Sequence, residues 1–386
     1  MRIIQVCSSK GQLRGGAEQF CLNLSKSLTV ADHDITFVTG NRPGPIVVRL
    51  PFMCLTIPEA QNILLRKLGL DYINPSAIRY FRTIVDYIKP DVIHFHSFYG
   101  LSTSLVKVVT QNYPVVVTLH DNWVAFVDGS LVRPKFGLAN SYLKIPMGYI
   151  HRIMNKSLLK DSTLVSPSTW MANYYESAGF KSPTHIPNGI EITTDCTRYE
   201  NTILWVGALT TFKGLPGVID TLSEISIRSG WRFIVIGDGP HKLYLQSKYP
   251  NVQFLGYCDP KPYYSVASLL VVSSIGPENF PTVVLEGMRH GLCVVGRDMA
   301  GYAELIRHNQ TGVLFNSTSS LNELLSSLIA KPERIRDIGN SAKKVFNQNY
   351  RLDICLGRYM NLYHTVISSR SNGFTNVVQN IPTELT

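Results

Sequence analysis

Apolar residues in this chain fall in short unbroken runs, separated by longer stretches in which they recur every three or four positions. The runs Arg2–Cys7, Ile35–Thr39, Val92–Phe95 and Val115–Leu119 are continuous in Val, Ile and Phe, the pattern of strands covered on both faces of a parallel sheet. Between them, Ala17–Leu28 and Ala77–Ile88 keep helical spacing. The same grammar returns after Ile186-Pro187-Asn188-Gly189-Ile190, with strands expected at Ile203–Val206, Arg232–Ile236, Val252–Phe254, Leu269–Val272 and Cys293–Val295. Alternation of this kind predicts an α/β fold of two doubly wound, Rossmann-like domains, 1–187 and 188–350. Two such domains back to back would leave a cleft at the carboxyl ends of their strands, the default site. Tyr359, Leu362, Tyr363 and Val366 predict a helix over 351–368 that crosses back to the first domain, and 369–386 reads as a polar tail.

Composition narrows the class. At 386 residues the chain is too long for one core, and 45% hydrophobic with 17% charged residues describes a folded, soluble protein. No apolar run approaches the ~18 residues of a membrane span. The start, Met1 to Cys7 and then Ser8-Ser9-Lys10, lacks the longer apolar region of a signal peptide, so a cytoplasmic location is expected. Seven cysteines are scattered singly without a C-x-x-C pair, which argues against a disulfide framework or a zinc cluster. Most of the net charge of +10 lies in residues 1–187 and suits an anionic partner, a bilayer surface or a lipid-linked phosphate. Nucleic acid is not expected, since no recognition motif accompanies the charge. Residues 133–160 carry Arg133, Lys135, Lys144, Arg152, Lys156 and Lys160 with Phe136, Tyr142 and Tyr149 interleaved. That mixture fits the inner face of an anionic plasma membrane, or a solvated helix.

Candidate chemistry concentrates in Gly276 to Gly291. Pro281 suits a first helical position, Val283, Val284, Leu285 and Met288 keep helical spacing, and Gly291 offers a stop. Glu278 then lies in the loop before the helix and Glu286 upon it. Unpaired amides at a helix start attract an anion, while carboxylates suit hydroxyls. A nucleoside diphosphate sugar offers both groups; a helix with two surface glutamates fits the same spacing.

Read with Phe254-Leu255-Gly256-Tyr257, Cys293-Val294-Val295, Gly301-Tyr302-Ala303-Glu304-Leu305-Ile306 and Gly312, this stretch resembles the C-terminal domain of retaining GT-B glycosyltransferases. The group is family 4, which includes bacterial envelope and polysaccharide enzymes. Gly15-Gly16-Ala17-Glu18, His120-Asp121 and Pro187-Asn188-Gly189 extend the resemblance over nearly the whole chain. It implies that Gly15 and Gly16 lie against the donor diphosphate or the acceptor, and that His120 meets a hydroxyl of the donor sugar. Asp121 would bind acceptor or fix the histidine. Lys213 would neutralise the departing diphosphate, Glu278 contact the sugar and Glu286 hold the ribose, while amides around Phe280, Pro281 and Thr282 meet phosphate. The family usually adds an arginine where this chain has Ala208; Arg14 and Arg297 are candidates to replace it. No metal and no cofactor is expected. Asp32-His33-Asp34 spells a metal-type D-x-D but lies at a strand entry, and Gly237-Asp238-Gly239-Pro240 reads as a turn or a nucleotide loop.

The expected reaction moves a sugar from a UDP- or GDP-sugar to a glycan or lipid-linked acceptor, in surface polysaccharide or lipopolysaccharide assembly. No opposed carboxylates suggest double displacement. The resemblance implies attack from the leaving-group side, with the donor phosphate taking the acceptor's proton. A nucleotide-sugar 2-epimerase and a non-catalytic nucleotide-binding subunit are the alternatives, the latter because of Ala208.

Overall fold

The computed structural model describes residues 1–8, 15–41, 51–59, 74–98, 100–125, 141–192 and 198–378, the side chains of 41, 141–147 and 371–378 excepted. Contacts divide the chain into two units, Met1–Pro187 with Asp353–Thr386, and Asn188–Leu352.

The first unit holds strands β1 (Arg2–Val6), β2 (Asp34–Asn41), β3 (Met53–Pro58), β4 (Val92–Phe95), β5 (Val115–Thr118), β6 (Thr163–Ser166) and β7 (Thr184–His185). Its helices are α1 (Gly16–Val30), α2 (Pro75–Ile88), α3 (Ser104–Val109), α4 (Ser141–Leu159) and α5 (Thr169–Ser177). The seven strands form one sheet in the order β3-β2-β1-β4-β5-β6-β7, with every pairing parallel. Side chains alternate across it. Ile4, Val6, Ile93, Phe95, Val115 and Val117 pack with Phe81 and Val85 of α2 on one face. Ile3, Ile35, Val92 and Val116 meet Phe20 and Leu24 of α1 on the other.

The second unit holds β8 (Thr202–Val206), β9 (Arg232–Ile236), β10 (Gln253–Gly256), β11 (Leu269–Val272), β12 (Cys293–Arg297) and β13 (Val313–Phe315). Helices α6 (Ile219–Ser229), α7 (Lys242–Lys248), α8 (Lys261–Tyr264), α9 (Thr282–His290), α10 (Ala300–Leu305), α11 (Thr318–Ile329) and α12 (Pro332–Asn349) complete it. The six strands are parallel in the order β10-β9-β8-β11-β12-β13. Trp205, Phe233, Val271 and Val295 pack under α6 and α11, and Leu204, Leu270, Val272 and Val294 under α9 and α10.

In both sheets the strand order reverses once, between β1 and β4 and between β8 and β11. Loops leaving adjacent strands there run to opposite faces and open a crevice at the carboxyl edge. The last helix, α13 (Leu352–Val378), lays Cys355, Tyr359 and Tyr363 against Ile3, Val92 and Val116 of the first sheet. Burying each phenolic ring completely contributes about 1.5–3 kcal/mol on the scale of a large apolar side chain. The expected tail from 369 is corrected in part: the helix continues to Val378, and 379–386 lie outside the described residues.

Candidate functional site

At the β8/β11 reversal the loop after β8 carries Lys213-Gly214. Gly214 has φ +75, and a Cβ there would lie 2.0 Å from the Ser273 carbonyl oxygen, so this close approach of two backbones requires glycine. The contact is stitched on both sides. Ile275 N–H donates to the Phe212 carbonyl at 2.9 Å, Ser273 Oγ donates to the Lys213 carbonyl at 3.0 Å, and Trp205 Nε1 donates to Ser273 Oγ at 3.0 Å. Lys213 is thereby fixed beside the end of β11. Its Nζ lies 2.7 Å from Glu278 Oε1.

That carboxylate oxygen collects further donors. The Ser274 hydroxyl donates to it, and the Tyr302 hydroxyl sits 3.0 Å from it and 2.9 Å from Ser274 Oγ. Burial, reinforced by the charge of Glu278, pushes the Tyr302 phenol well up, so it remains a donor. Gly301 brings this tyrosine in: its N–H donates to the Glu278 carbonyl at 2.9 Å, and a Cβ would lie 2.1 Å from the Asn279 carbonyl oxygen. Gly301-Tyr302 thus matters through main-chain contact with Glu278-Asn279.

Helix α9 begins directly after. Pro281 is its N-cap with extended ψ of 106, which corrects the expectation of a first helical position by one residue; Gly291 closes it at φ 74. No side chain caps this N-terminus, so its amides keep their attraction for an anion. The Phe280 ring packs into the core, 6.0 Å from Tyr350, leaving main chain as its means of touching a ligand. Glu286 accepts from the buried Tyr264 hydroxyl at 2.5 Å. Burial raises its carboxyl above the ordinary value, and the Tyr264 hydrogen bond acts in the opposite direction.

Arg297 is the last residue of β12. It shares a face of β12 with Val295, its guanidinium 5.3 Å from the Phe315 ring centre, whereas Tyr302 packs with Val294 on the other face. Ala208 is exposed, and Arg14 lies outside the described residues. Asp238 accepts from Gly239 N–H at 2.8 Å and pairs with Lys242, a self-contained turn. Asp32 is a left-handed turn residue at φ 62 before β2, and His33 Nδ1 lies 3.3 Å from the amino terminus. Among the described residues no group of three His, Cys, Asp or Glu could hold a metal ion.

In the first unit Gly15 is the N-cap of α1, so Gly15-Gly16 do open the first helix after the first strand. His120 follows β5 on the face of Val116 and Thr118. His120 Nε2 lies 3.1 Å from His96 Nδ1, and the ring sits 5.4 Å from Phe20. Burial holds the imidazole down to about 3, so the ring is neutral. The Asp121 carboxylate accepts from Trp123 N–H at 2.9 Å, and its carbonyl accepts from the Tyr175 hydroxyl at 2.8 Å, which locks the turn after the histidine. Lys213 and Glu278 are therefore in contact, Glu286 stands on the helix that follows them, and His120, Asp121, Gly15 and Gly16 belong to the other unit.

Sequence reasoning missed Ser274, Tyr264, Tyr302 as a donor, and the partners of His120. One signal was available: Gln5, His94 and His96 are polar residues inside or directly after otherwise apolar strands.

Two parallel Rossmann-like sheets with their carboxyl-edge loops are the GT-B arrangement. Anabaena HepE, crystallised with UDP and glucose, superposes with a TM-score of 0.71 at 17% identity over 94% of this chain and 99% of that one. Residues 14–194 match the Glycosyltransferase Family 4 model and residues 200–331 the Glycosyl transferases group 1 model. The chain belongs to the family 4, group 1 glycosyltransferases, a retaining family that uses nucleotide sugars. N-acetyl-alpha-D-glucosaminyl L-malate synthase of Bacillus anthracis is 23% identical, over 93% of this chain and 96% of its own. Phosphatidyl-myo-inositol mannosyltransferase of Mycobacterium leprae is 22% identical, over 96% and 98%.

Proposed function

We propose that this chain transfers a hexose, with retention, from a UDP- or GDP-sugar to a glycan or lipid-linked acceptor in envelope polysaccharide assembly. The observation that carries the reading is the Lys213–Glu278 contact at 2.7 Å, set at the β8/β11 reversal before an uncapped helix start. Lys213 and the first amides of α9 meet the diphosphate, where charge grows as the sugar bond breaks. Glu278 has one oxygen saturated by protein donors and turns the other to a sugar hydroxyl. Glu286 takes the ribose hydroxyls, and His120 a hydroxyl of the donor sugar. The donor phosphate accepts the proton of the attacking hydroxyl, so the protein supplies positioning and charge rather than a general base.

On the acceptor side, α4 supports contact with an anionic bilayer. Tyr149, Ile150, Ile153 and Met154 are all exposed, beside Arg152 and Lys156, while His151, Asn155 and Leu159 face inward. Arg133, Lys135 and Phe136 lie outside the described residues, as do the side chains of Lys144 and Tyr142. Among the described residues no helix is long and apolar enough to cross a membrane.

The test is incubation with panels of UDP- and GDP-sugars, with and without lipid extract, reading nucleotide release and the anomeric form of the product. Release stimulated by lipid and lowered about 100-fold or more in Lys213→Ala is expected. An epimerised nucleotide sugar formed without acceptor, or normal turnover in Lys213→Ala, overturns the reading. Flotation with anionic vesicles at low salt tests the membrane contact, and no binding there ends it.

A further inference from the structure

Parallel pairing puts Gln5 of β1 in register with His94 of β4, and the two-residue period carries His96 and His120 along the same face. Over this face α13 lays two buried tyrosines. The result is a branched chain of hydrogen bonds within the first unit, running from Gln5 to His120 on one arm and to Thr118 on the other. Gln5 Nε2 donates to the Tyr363 hydroxyl at 3.2 Å, which leaves Gln5 Oε1 facing His96 Nε2 at 2.7 Å. An amide oxygen can only accept, so His96 carries its hydrogen on Nε2. A neutral imidazole has one such hydrogen, so His96 Nδ1 is an acceptor, and the hydrogen between it and His120 Nε2, 3.1 Å away, belongs to His120. The other branch takes its direction from the same amide. Tyr363 donates its hydroxyl proton to His94 Nδ1 at 2.7 Å, and His94 Nε2 donates to Thr118 Oγ1 at 2.7 Å.

We propose that Gln5 and Tyr363 are positioning residues: acting through His96, they hold His120 as the Nε2–H tautomer, so that the ring meets the donor sugar only as an acceptor, at Nδ1. This rests on His120 being the sugar contact. An acceptor adds electron density to the hydroxyl it binds, beside a ring carbon that becomes positive as the leaving group departs. A donor at the same place withdraws it. The titratable groups facing the chain are His94 on β4, Cys21 on α1, and Cys355, Tyr359 and Tyr363 on α13. Burial holds His94 and His96 down and pushes both phenols up, so none of these four gains or loses a proton near neutral pH.

The full chain, with 15N-labelled imidazoles, is read by long-range proton–nitrogen correlation. Wild type is expected to show His96 and His120 neutral, each protonated at Nε2. A His120 protonated at Nδ1 overturns the inference, because reversing the Gln5 amide reverses every proton in the chain. Gln5→Glu keeps the shape and stabilises His96 as imidazolium. Its Nδ1–H then donates to His120 Nε2 and drives the His120 proton to Nδ1. As pH falls, this variant is expected to switch the His120 tautomer and lose about tenfold in kcat over the same range, with KM for the nucleotide sugar unchanged and wild type flat. A pH-independent loss with the tautomer unmoved marks a merely structural role and overturns it. Should Gln5→Glu fail to fold, Tyr363→Phe removes the partner that orients the amide and is expected to give both His120 tautomers; one unchanged tautomer counts against the proposal. His120→Ala with full turnover removes the sugar contact instead, a result independent of where the ring carries its proton.

Discussion

Acid should loosen the first sheet before the second. His94 and His96 are 0% and 2% exposed, and burial, then the neighbouring imidazoles, holds both well below the ordinary histidine value. In the unfolded chain each titrates near ~6.5. The unfolded state therefore binds protons that the native state refuses, and stability is full above pH ~6.5 and falls below it. Between pH ~7 and pH ~5 the loss is about 2 kcal/mol for each fully buried ring, or about 4 kcal/mol for the pair. His120, held down to about 3 but part-exposed, adds a smaller amount. A whole domain has only about 5–15 kcal/mol of stability, so this is a large fraction of the reserve. Amide hydrogen exchange at several pH values, corrected for intrinsic rates and read separately for peptides from β1, β4 and β5 and from β8, β11 and β12, measures it. Opening free energies in the first set should fall by about 4 kcal/mol, and by distinctly less in the second. Equal losses in both sheets, or a loss below about 1 kcal/mol in the first, would refute the reasoning.

Three further outcomes follow from single contacts. Tyr302→Phe removes one donor from Glu278 while leaving Lys213 and Ser274, and should lower kcat/KM about tenfold with an unchanged circular dichroism spectrum. Gly301→Ala forces a Cβ to 2.1 Å from a backbone oxygen that cannot move like a side chain; calorimetry should show about 3 kcal/mol of destabilisation in the second unit's transition. Ile153→Glu places charge in the exposed stripe of α4 and should abolish flotation with anionic vesicles while nucleotide-sugar hydrolysis in their absence stays within about twofold.

The central strands were legible because a strand buried on both faces needs an unbroken apolar run, and Ile203–Val206 and Leu269–Val272 supply one. Three of the four edge strands escaped for the converse reason. Met53–Pro58 at one edge, Thr184–His185 at the other and Val313–Phe315 beside β12 are short or mixed in polarity, since one side of such a strand is not enclosed. Thr163–Ser166, though not an edge strand, hides its apolar pair between Thr and Ser. Much the same divides the site. Lys213, Glu278, Glu286 and the glycines stand in local motifs and could be named; what holds them could not. Tyr302 reaches Glu278 across 24 positions and Tyr363 reaches Gln5 across 358, and no local spacing encodes such a pairing. The C-terminal helix was visible through its aromatic period, but its polar edge, which orders the histidines, became visible only with the sheet face beneath it.

Ala208 sharpens the question of how one lysine serves where the family usually sets two cations. Lys213 is not a loose surface charge. Its backbone is clamped to Ser273, and its ammonium is held at 2.7 Å by a carboxylate that Tyr302 and Ser274 already orient. If Lys213 meets the diphosphate as proposed, its ordering beforehand removes part of the entropy that a mobile side chain would lose on binding. In the role proposed for it the carboxylate has two duties, holding the sugar and holding the lysine, and they cannot be separated by substitution. Glu278→Gln should therefore damage the phosphate end of the site as well as the sugar end, and Lys213→Ala should leave a carboxylate without its charge partner. If so, the double variant should be little worse in kcat/KM than the poorer single one, a coupling of about 1–3 kcal/mol between the two positions. Strictly additive losses would mean that the pair seen at 2.7 Å has no part in catalysis as a pair, and that the second cation must come from some other residue.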